Sequence, residues 1–297
     1  MIFRALQSAS ATFRISGPDA NTFLSGQFTQ EIRGDLGLSA YGLWLNQKGK
    51  VLADSQVLRV GGDEHLVFSE HVPSATLRQR IEDYLIADEV TVADETAAWG
   101  AALLTDTDRA GLSALLGEVP AHKRWVRSGE ALAFCAWGRT DWFWILFPRA
   151  QESQWRERVA LHGREVSAAE LSRARIVAGI PSVPADIGPD DLPNEGGLDA
   201  TAISYTKGCY LGQEVMSRLK NLGQVRRRLH VVRGTGSAPM PRTPLMQQGK
   251  RVGETRSAAP EGDGFVAMAM VSLVNFDASL PVQLGESGPL VEVVRHG

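Results

Sequence analysis

Thr12-Phe13-Arg14-Ile15-Ser16 alternates polar and apolar residues, the two-residue period of a half-buried strand. Gly17-Pro18 then places proline where a first helical turn tolerates it. Phe23 or Leu24, Phe28 and Ile32 supply an apolar stripe at near-four spacing, and Gly34 stops it, which predicts a helix over that stretch. Tyr41 to Asn46 and Val51 to Val60 read as two strands turned at Gln47-Lys48-Gly49-Lys50, with a third at His65 to Ser69. Pro73 opens a helix carrying Leu77, Ile81, Tyr84 and Leu85. Strand-like Val90-Thr91-Val92 and Ala101 to Leu104 follow, then a short helix from about Asp108 to Leu116.

Leu132 to Ala136 and Trp142 to Phe147 form a second predicted hairpin. Its second strand is apolar on both faces, as in a strand buried on both sides. The tryptophans there read as core rather than as a platform for a flat ligand, because no polar partner alternates with the rings. Gln151 to Leu161 reads as a helix, and Ser167-Ala168-Ala169-Glu170 is a capping box for another, ended by Gly179-Ile180-Pro181. Pro181 to Gly197 is rich in Pro, Gly, Asp and Asn, long for a bare connection. After Gly223 short strand-like runs recur: Val225 to Val232, Thr243 to Met246, Val252 to Thr255, Gly264 to Met270, Val282 to Leu284 and Leu290 to Val294. That spacing predicts a small all-β sandwich or barrel. The expected organisation is α+β, with residues 1–222 as one region and 223–297 as the C-terminal β domain.

Composition changes little in this picture. With 43% hydrophobic and 22% charged residues, the chain is ordinary for a globular protein, and its net charge of −3 implies no pull toward nucleic acid or membrane. No apolar run approaches the roughly 20 residues of a membrane span, and the first residues lack a signal peptide's pattern, so a cytoplasmic setting is expected. Cys135 and Cys209 form no Cys-x-x-Cys, so no metal site within the chain is expected. Gly49-Lys50 is not a phosphate-binding loop, because Trp44 and Val51 stand where Gly and Ser/Thr are needed. The histidines are scattered and indicate no histidine base. Arg218, Lys220, Arg226, Arg227, Arg228, His230 and Arg233 make a basic run, either a contact for an anionic ligand or a charged strand edge.

One stretch stands apart: Lys207-Gly208-Cys209-Tyr210-Leu211-Gly212-Gln213-Glu214. It combines a cation, a thiol, a ring, an amide and a carboxylate around two glycines, which admit close approach of backbone or ligand. The residue types alone leave two readings open: a loop that holds something, or a polar turn entering a helix at Gln213-Glu214. Lys-Gly-Cys-Tyr-x-Gly-Gln-Glu resembles the signature of the YgfZ-type folate-binding proteins, similar in fold to the aminomethyltransferase (T-protein) of the glycine cleavage system. Gly17-Pro18-Asp19-Ala20, Leu45 to Asp54, Arg175 to Pro181 and Leu192-Pro193-Asn194-Glu195 stand in that family's order.

The resemblance implies a bilobal aminomethyltransferase-like fold with a C-terminal β-barrel, and tetrahydrofolate or a derivative as cofactor. A pterin ring presents an N–H and an amino group side by side, which a carboxylate accepts as a pair, while a glutamate tail prefers Arg or Lys. Asp54, Glu195 and Glu214 are the candidate acceptors, Tyr210 the ring, Lys207, Arg175 and Arg173 the cations, and Gln213 completes the motif. Asp54 stands where the aminomethyltransferases carry an aspartate thought to orient the reactive folate nitrogen, so Asp54 and Cys209 are the candidate catalytic groups. Cys209 is either a reactive thiol, which Lys207 or a helix N-terminus would activate, or a small residue packing a tight loop. Val177 departs from that enzyme family, which typically has a pterin-contacting glutamate there. The implied function is a tetrahydrofolate-binding accessory factor for iron–sulfur cluster assembly or repair, including that of tRNA-modifying iron–sulfur enzymes. Its partners would be folate and iron–sulfur enzymes or assembly proteins, without membrane or direct nucleic-acid binding. A folate-dependent aminomethyltransferase or demethylase, and a non-catalytic scaffold for an iron–sulfur partner, remain the alternatives.

Overall fold

The computed structural model describes residues 2–6, 11–105 and 109–294, with the side chains of residues 2–6 and 222 left aside. Backbone contacts divide the chain into two units. The first takes Met1–Lys48, Leu52–Val166 and Ala200–Gln213; the second takes Gly49–Val51, Ser167–Asp199 and Glu214–Gly297.

The first unit holds two sheets. In one, the strands run in the order Ser39–Leu45, Val51–Gly61, Glu64–Ser69, Ala11–Ser16 and Thr91–Asp94. Helices Ala20–Gln27 and Ser74–Glu82 cover it, and Phe13, Ile15, Phe28, Trp44, Leu77 and Ile81 fill the space between. The other sheet has six strands, with Trp99–Thr105, Trp142–Pro148 and Ala131–Cys135 at its centre. The expected hairpin is present, with Phe143 opposite Cys135 and Leu146 opposite Leu132. Helix Arg109–Leu116 follows the first of these central strands; the expected start at Asp108 lies outside the described residues.

The first helix is shorter than its apolar stripe predicts. It ends at Gln27, and Phe28 is extended at φ −109°, ψ 139°. Phe28 bridges Trp44, with ring centroids 5.4 Å apart, and Thr29 N–H donates to Leu43 O at 3.1 Å. The extended backbone at Phe28 sets its ring against Trp44 and lets Thr29 pair with the strand Ser39–Leu45, and Ile32 further on is buried as well.

In the second unit the capping box at Ser167 is formed, Glu170 N–H donating to Ser167 Oγ at 3.2 Å and Ser167 N–H to Glu170 Oε2 at 2.9 Å. It starts helix Ala168–Val177. Six antiparallel strands then close a barrel, in the order Arg227–Thr235, Gly264–Ser272, Lys250–Glu261, Pro244–Gln247, Val282–Leu284 and Leu290–Val294. Alternation along these strands sorts the side chains. Val232, Val252, Phe265, Ala267 and Val291 fill one core, while Val231, Val266 and Met268 pack against Ile176 of the helix. The α+β class and the C-terminal barrel expected from the pattern are both present.

Candidate functional site

Asp54 lies in the middle of Val51–Gly61 and Tyr41 in the adjacent strand Ser39–Leu45. Their side chains meet: Tyr41 Oη donates to Asp54 Oδ2 at 2.9 Å. Both are buried, at 7% and 5% exposure. Burial pushes the Asp54 carboxyl up to about 7, against the Tyr41 bond that favours its ionised form. Burial, and then the charge of Asp54, hold the Tyr41 hydroxyl well above its ordinary range.

Around this pair a pocket is lined by Ser55, Gln56, Phe68, Ser69, Glu70, Trp137 and Trp144. Its polar floor is tied down, with Trp44 Nε1 donating to Ser55 Oγ and the Ser55 and Ser69 hydroxyls bonded to each other, both at 2.9 Å. Its wall is aromatic. Trp144 meets Phe68 edge-on at 5.0 Å between centroids and Trp137 at 6.1 Å. Trp137 sits at φ 50°, ψ 30°, a left-handed conformation costly for a bulky side chain and usually kept where function needs it.

The loop of the Lys207 motif also belongs to the first unit. Lys207 is 7% exposed, and its ammonium donates to Ser25 O at 2.9 Å, Phe28 O at 2.7 Å and Gln30 O at 3.0 Å. A lysine has three donors, so all are satisfied by backbone. Lys207 thereby caps the last turn of helix Ala20–Gln27 and the extended segment after it. Burial pulls its ammonium down to about 8, with the Glu31 carboxylate opposing. Further ties hold the loop: Ser204 N–H to Thr29 O and Leu211 N–H to Gly26 O, each 3.0 Å. The Tyr210 ring lies 5.5 Å from Lys207 Nζ and is buried. Between these anchors Cys209 is exposed, whereas Cys135 is buried and its thiol pushed up to about 11. Gln213 is half-buried at the start of helix Gln213–Leu222. Glu214 is exposed and pairs with Arg218 one turn on.

Arg175 and Glu195 lie in the second unit and are engaged there. Arg175 donates to Asp186 Oδ2 at 2.7 Å and Ser257 Oγ at 2.8 Å. Glu195 accepts the fork of Arg227, Nε at 2.8 Å and Nη2 at 2.9 Å, and also Leu192 N–H at 2.8 Å. Arg227 reaches Asp191 as well, at 3.0 Å. Arg173 is exposed, and Val177 is 40% exposed on the same helix.

Residues 7–105 match the GCVT N-terminal domain family, and residues 226–293 match the CAF17 C-terminal β-barrel domain family. The chain joins a GCVT-type domain to a CAF17-type barrel. Among its relatives is the human mitochondrial iron–sulfur cluster assembly factor IBA57, 28% identical over 304 residues, which covers 92% of this chain and 78% of IBA57. The tRNA-modifying protein YgfZ of Escherichia coli O127:H6 is 26% identical over 230 residues, 75% of this chain and 69% of YgfZ. In fold the chain matches the glycine cleavage aminomethyltransferase T of Bartonella henselae, at a TM-score of 0.81 and 18% identity over 98% of this chain and 84% of that one.

The structure brings Tyr41, Glu70, Trp137 and Trp144 to Asp54, and sequence reasoning singled out none of the four as a site residue. Tyr41 was legible only as far as its strand: a turn at 47–50 pairs Ser39–Leu45 with Val51–Gly61 but does not set Tyr41 opposite Asp54. Trp137 was not, because long-range packing brings its segment, left-handed at Trp137, to Asp54.

Proposed function

We propose that this GCVT-type protein binds a reduced folate in the Asp54 pocket and acts as an accessory factor in iron–sulfur cluster assembly or repair. The enzymes it serves include iron–sulfur enzymes that modify tRNA. The observation that carries this reading is the likeness to IBA57 and YgfZ over most of the chain, joined to an exposed Cys209 on a loop anchored at both sides. A thiolate is a soft-metal ligand and a nucleophile, and an exposed one is open to a protein partner.

The donor set of the pocket fits a reduced folate. It supplies carboxylates, a tyrosine hydroxyl and aromatic faces, the partners an aminopyrimidinone ring needs. Folate, when bound, supplies a nitrogen that carries one-carbon units. Asp54 then holds or releases a proton near neutral pH, Tyr41 fixes its orientation, and Trp137 and Trp144 exclude water. The same carboxyl favours a second reading, a folate-dependent one-carbon transferase. Against it, Val177 offers no carboxylate where the aminomethyltransferases typically have one.

Two measurements test the reading. Tetrahydrofolate should raise the melting temperature in proportion to the logarithm of its concentration; no shift at millimolar ligand, with calorimetry silent, removes the folate part. Cells lacking the native protein should regain iron–sulfur enzyme activity with the wild-type chain and not with Cys209→Ser. Turnover of an aminomethylated carrier by the purified protein would instead establish the transferase.

A further inference from the structure

Gln56 is left half-paired by the fold. It lies two residues beyond Asp54 on the strand Val51–Gly61, so both side chains leave the same face of that strand. The neighbouring strand Glu64–Ser69 sets Phe68 directly opposite Gln56, and Asp54, Gln56 and Phe68 all line the pocket.

Gln56 is 5% exposed. Its Nε2 donates to Ser39 Oγ at 2.6 Å, which fixes the amide, while its Oε1 is buried and receives no donor from the described residues. Other polar groups of the pocket are tied to one another: Tyr41 Oη to Asp54 Oδ2, and the Ser55 hydroxyl to that of Ser69. A buried carbonyl oxygen without a donor is expensive, and folded chains keep few of them. Methionine has a similar length and would fill the same space without that cost. An acceptor fixed by one end and open at the other, on the same strand face as Asp54, suits a donor that arrives with a ligand. It needs no ring inserted among Phe68, Trp144 and Trp137, which pack edge-on against one another.

We propose that Gln56 is a ligand-binding residue whose side-chain carbonyl accepts an N–H of the bound folate. This assignment rests on the pocket being a reduced-folate site. A neutral amide takes that N–H without placing a second negative charge beside Asp54, which leaves the carboxyl for proton exchange at another atom of the ligand.

Calorimetric titration of the full chain with tetrahydrofolate tests it, using Gln56→Met and the double variant Ser39→Ala with Gln56→Met. The double variant also removes the buried hydroxyl that Gln56→Met alone would leave unpaired. Both should bind tetrahydrofolate about 10-fold more weakly or worse, because the ligand's N–H loses its acceptor. Thermal unfolding without ligand should place the double variant at or above the wild type, since two polar partners are replaced together by apolar groups. Weaker binding without weaker folding is a result that a packing role does not produce. Tetrahydrofolate affinity of either folded variant within about 2-fold of the wild type overturns the assignment and leaves the folate site standing. A double variant that melts well below the wild type also overturns it, because the amide would then be kept for the fold. A wild type that binds no tetrahydrofolate overturns the site and the assignment together.

Discussion

Asp54→Asn should make the protein more stable and less useful, and the pH dependence of the gain distinguishes cause from coincidence. In the folded chain the Asp54 carboxyl titrates near 7, against 3.8 for its ordinary value. Between those two values the folded state keeps a proton that the unfolded state has released. Stability therefore falls as pH rises from about 4 to 7, and the full deficit is present above 7. Three pKa units correspond to about 4 kcal/mol, and relaxation around the charge lowers this to about 2–4 kcal/mol. Asparagine keeps an acceptor for Tyr41 Oη and carries no charge to bury, so the deficit disappears.

The assay is urea unfolding of wild type and Asp54→Asn at pH 4.5, 6, 7 and 8, followed by tryptophan fluorescence, since Trp137 and Trp144 lie in the same pocket. The first unit's transition is the one to compare, because a chain of two units need not unfold in one step. The variant should match the wild type within about 1 kcal/mol at pH 4.5 and exceed it by about 2–4 kcal/mol at pH 8. A difference that stays flat across this range, or an Asp54→Asn that is less stable at pH 8, refutes the claim that burial holds this carboxyl near neutrality. Stability gained together with folate-dependent function lost is the signature of a residue kept for chemistry at a cost to the fold.

Other consequences follow from groups of opposite kind. His65 is fully buried with no hydrogen-bond partner at either ring nitrogen among the described residues, and burial, then Arg59, pulls it down to about 4, against Asp63 and Glu64. Its contribution is complete above pH 6.5 and lost as pH falls toward 4, so His65→Phe should remove about 3 kcal/mol of acid destabilisation in unfolding curves between those values. Arg227→Met leaves Glu195 without its forked partner and should lower the stability of the second unit by about 3 kcal/mol in urea unfolding. Cys209, exposed, should alkylate with iodoacetamide far faster than Cys135 in native protein, and mass spectrometry of timed digests reads the two rates.

The fold was largely legible because its signals are local. Ser167 and Glu170 announced a helix that forms with that cap, and Val282–Leu284 lies between Pro281 and Gly285, with Pro289 just before Leu290–Val294. The first helix misled because periodicity records which residues are buried, not by what backbone. Phe28 and Ile32 are in the core as their spacing required, yet both lie beyond the end of the helix, Phe28 in extended chain. The site was legible in part. Asp54 could be placed because a hairpin fixes its neighbours. Glu70 and Trp137 could not, since long-range packing brings their segments to Asp54.

The Lys207 motif shows why a signature of adjacent residues need not be a site of adjacent groups. Lys207 points inward and neutralises the end of a helix, Tyr210 is buried beside it, and Cys209 faces out between them. Neighbouring residues thus do opposite work: the buried Lys207 and Tyr210 fix the loop so that the outward thiol between them has a defined place. A lysine with three carbonyl partners has no donor left for a thiolate or a ligand carboxylate. Its contribution to Cys209 is therefore position, and Lys207→Met should loosen the loop. The expected result is faster proteolysis between residues 203 and 212 and a loss of complementation that follows the cleavage rate. Unchanged proteolysis with complementation abolished would instead mean that the ammonium acts on the thiol's chemistry directly, which the bonding of Nζ argues against.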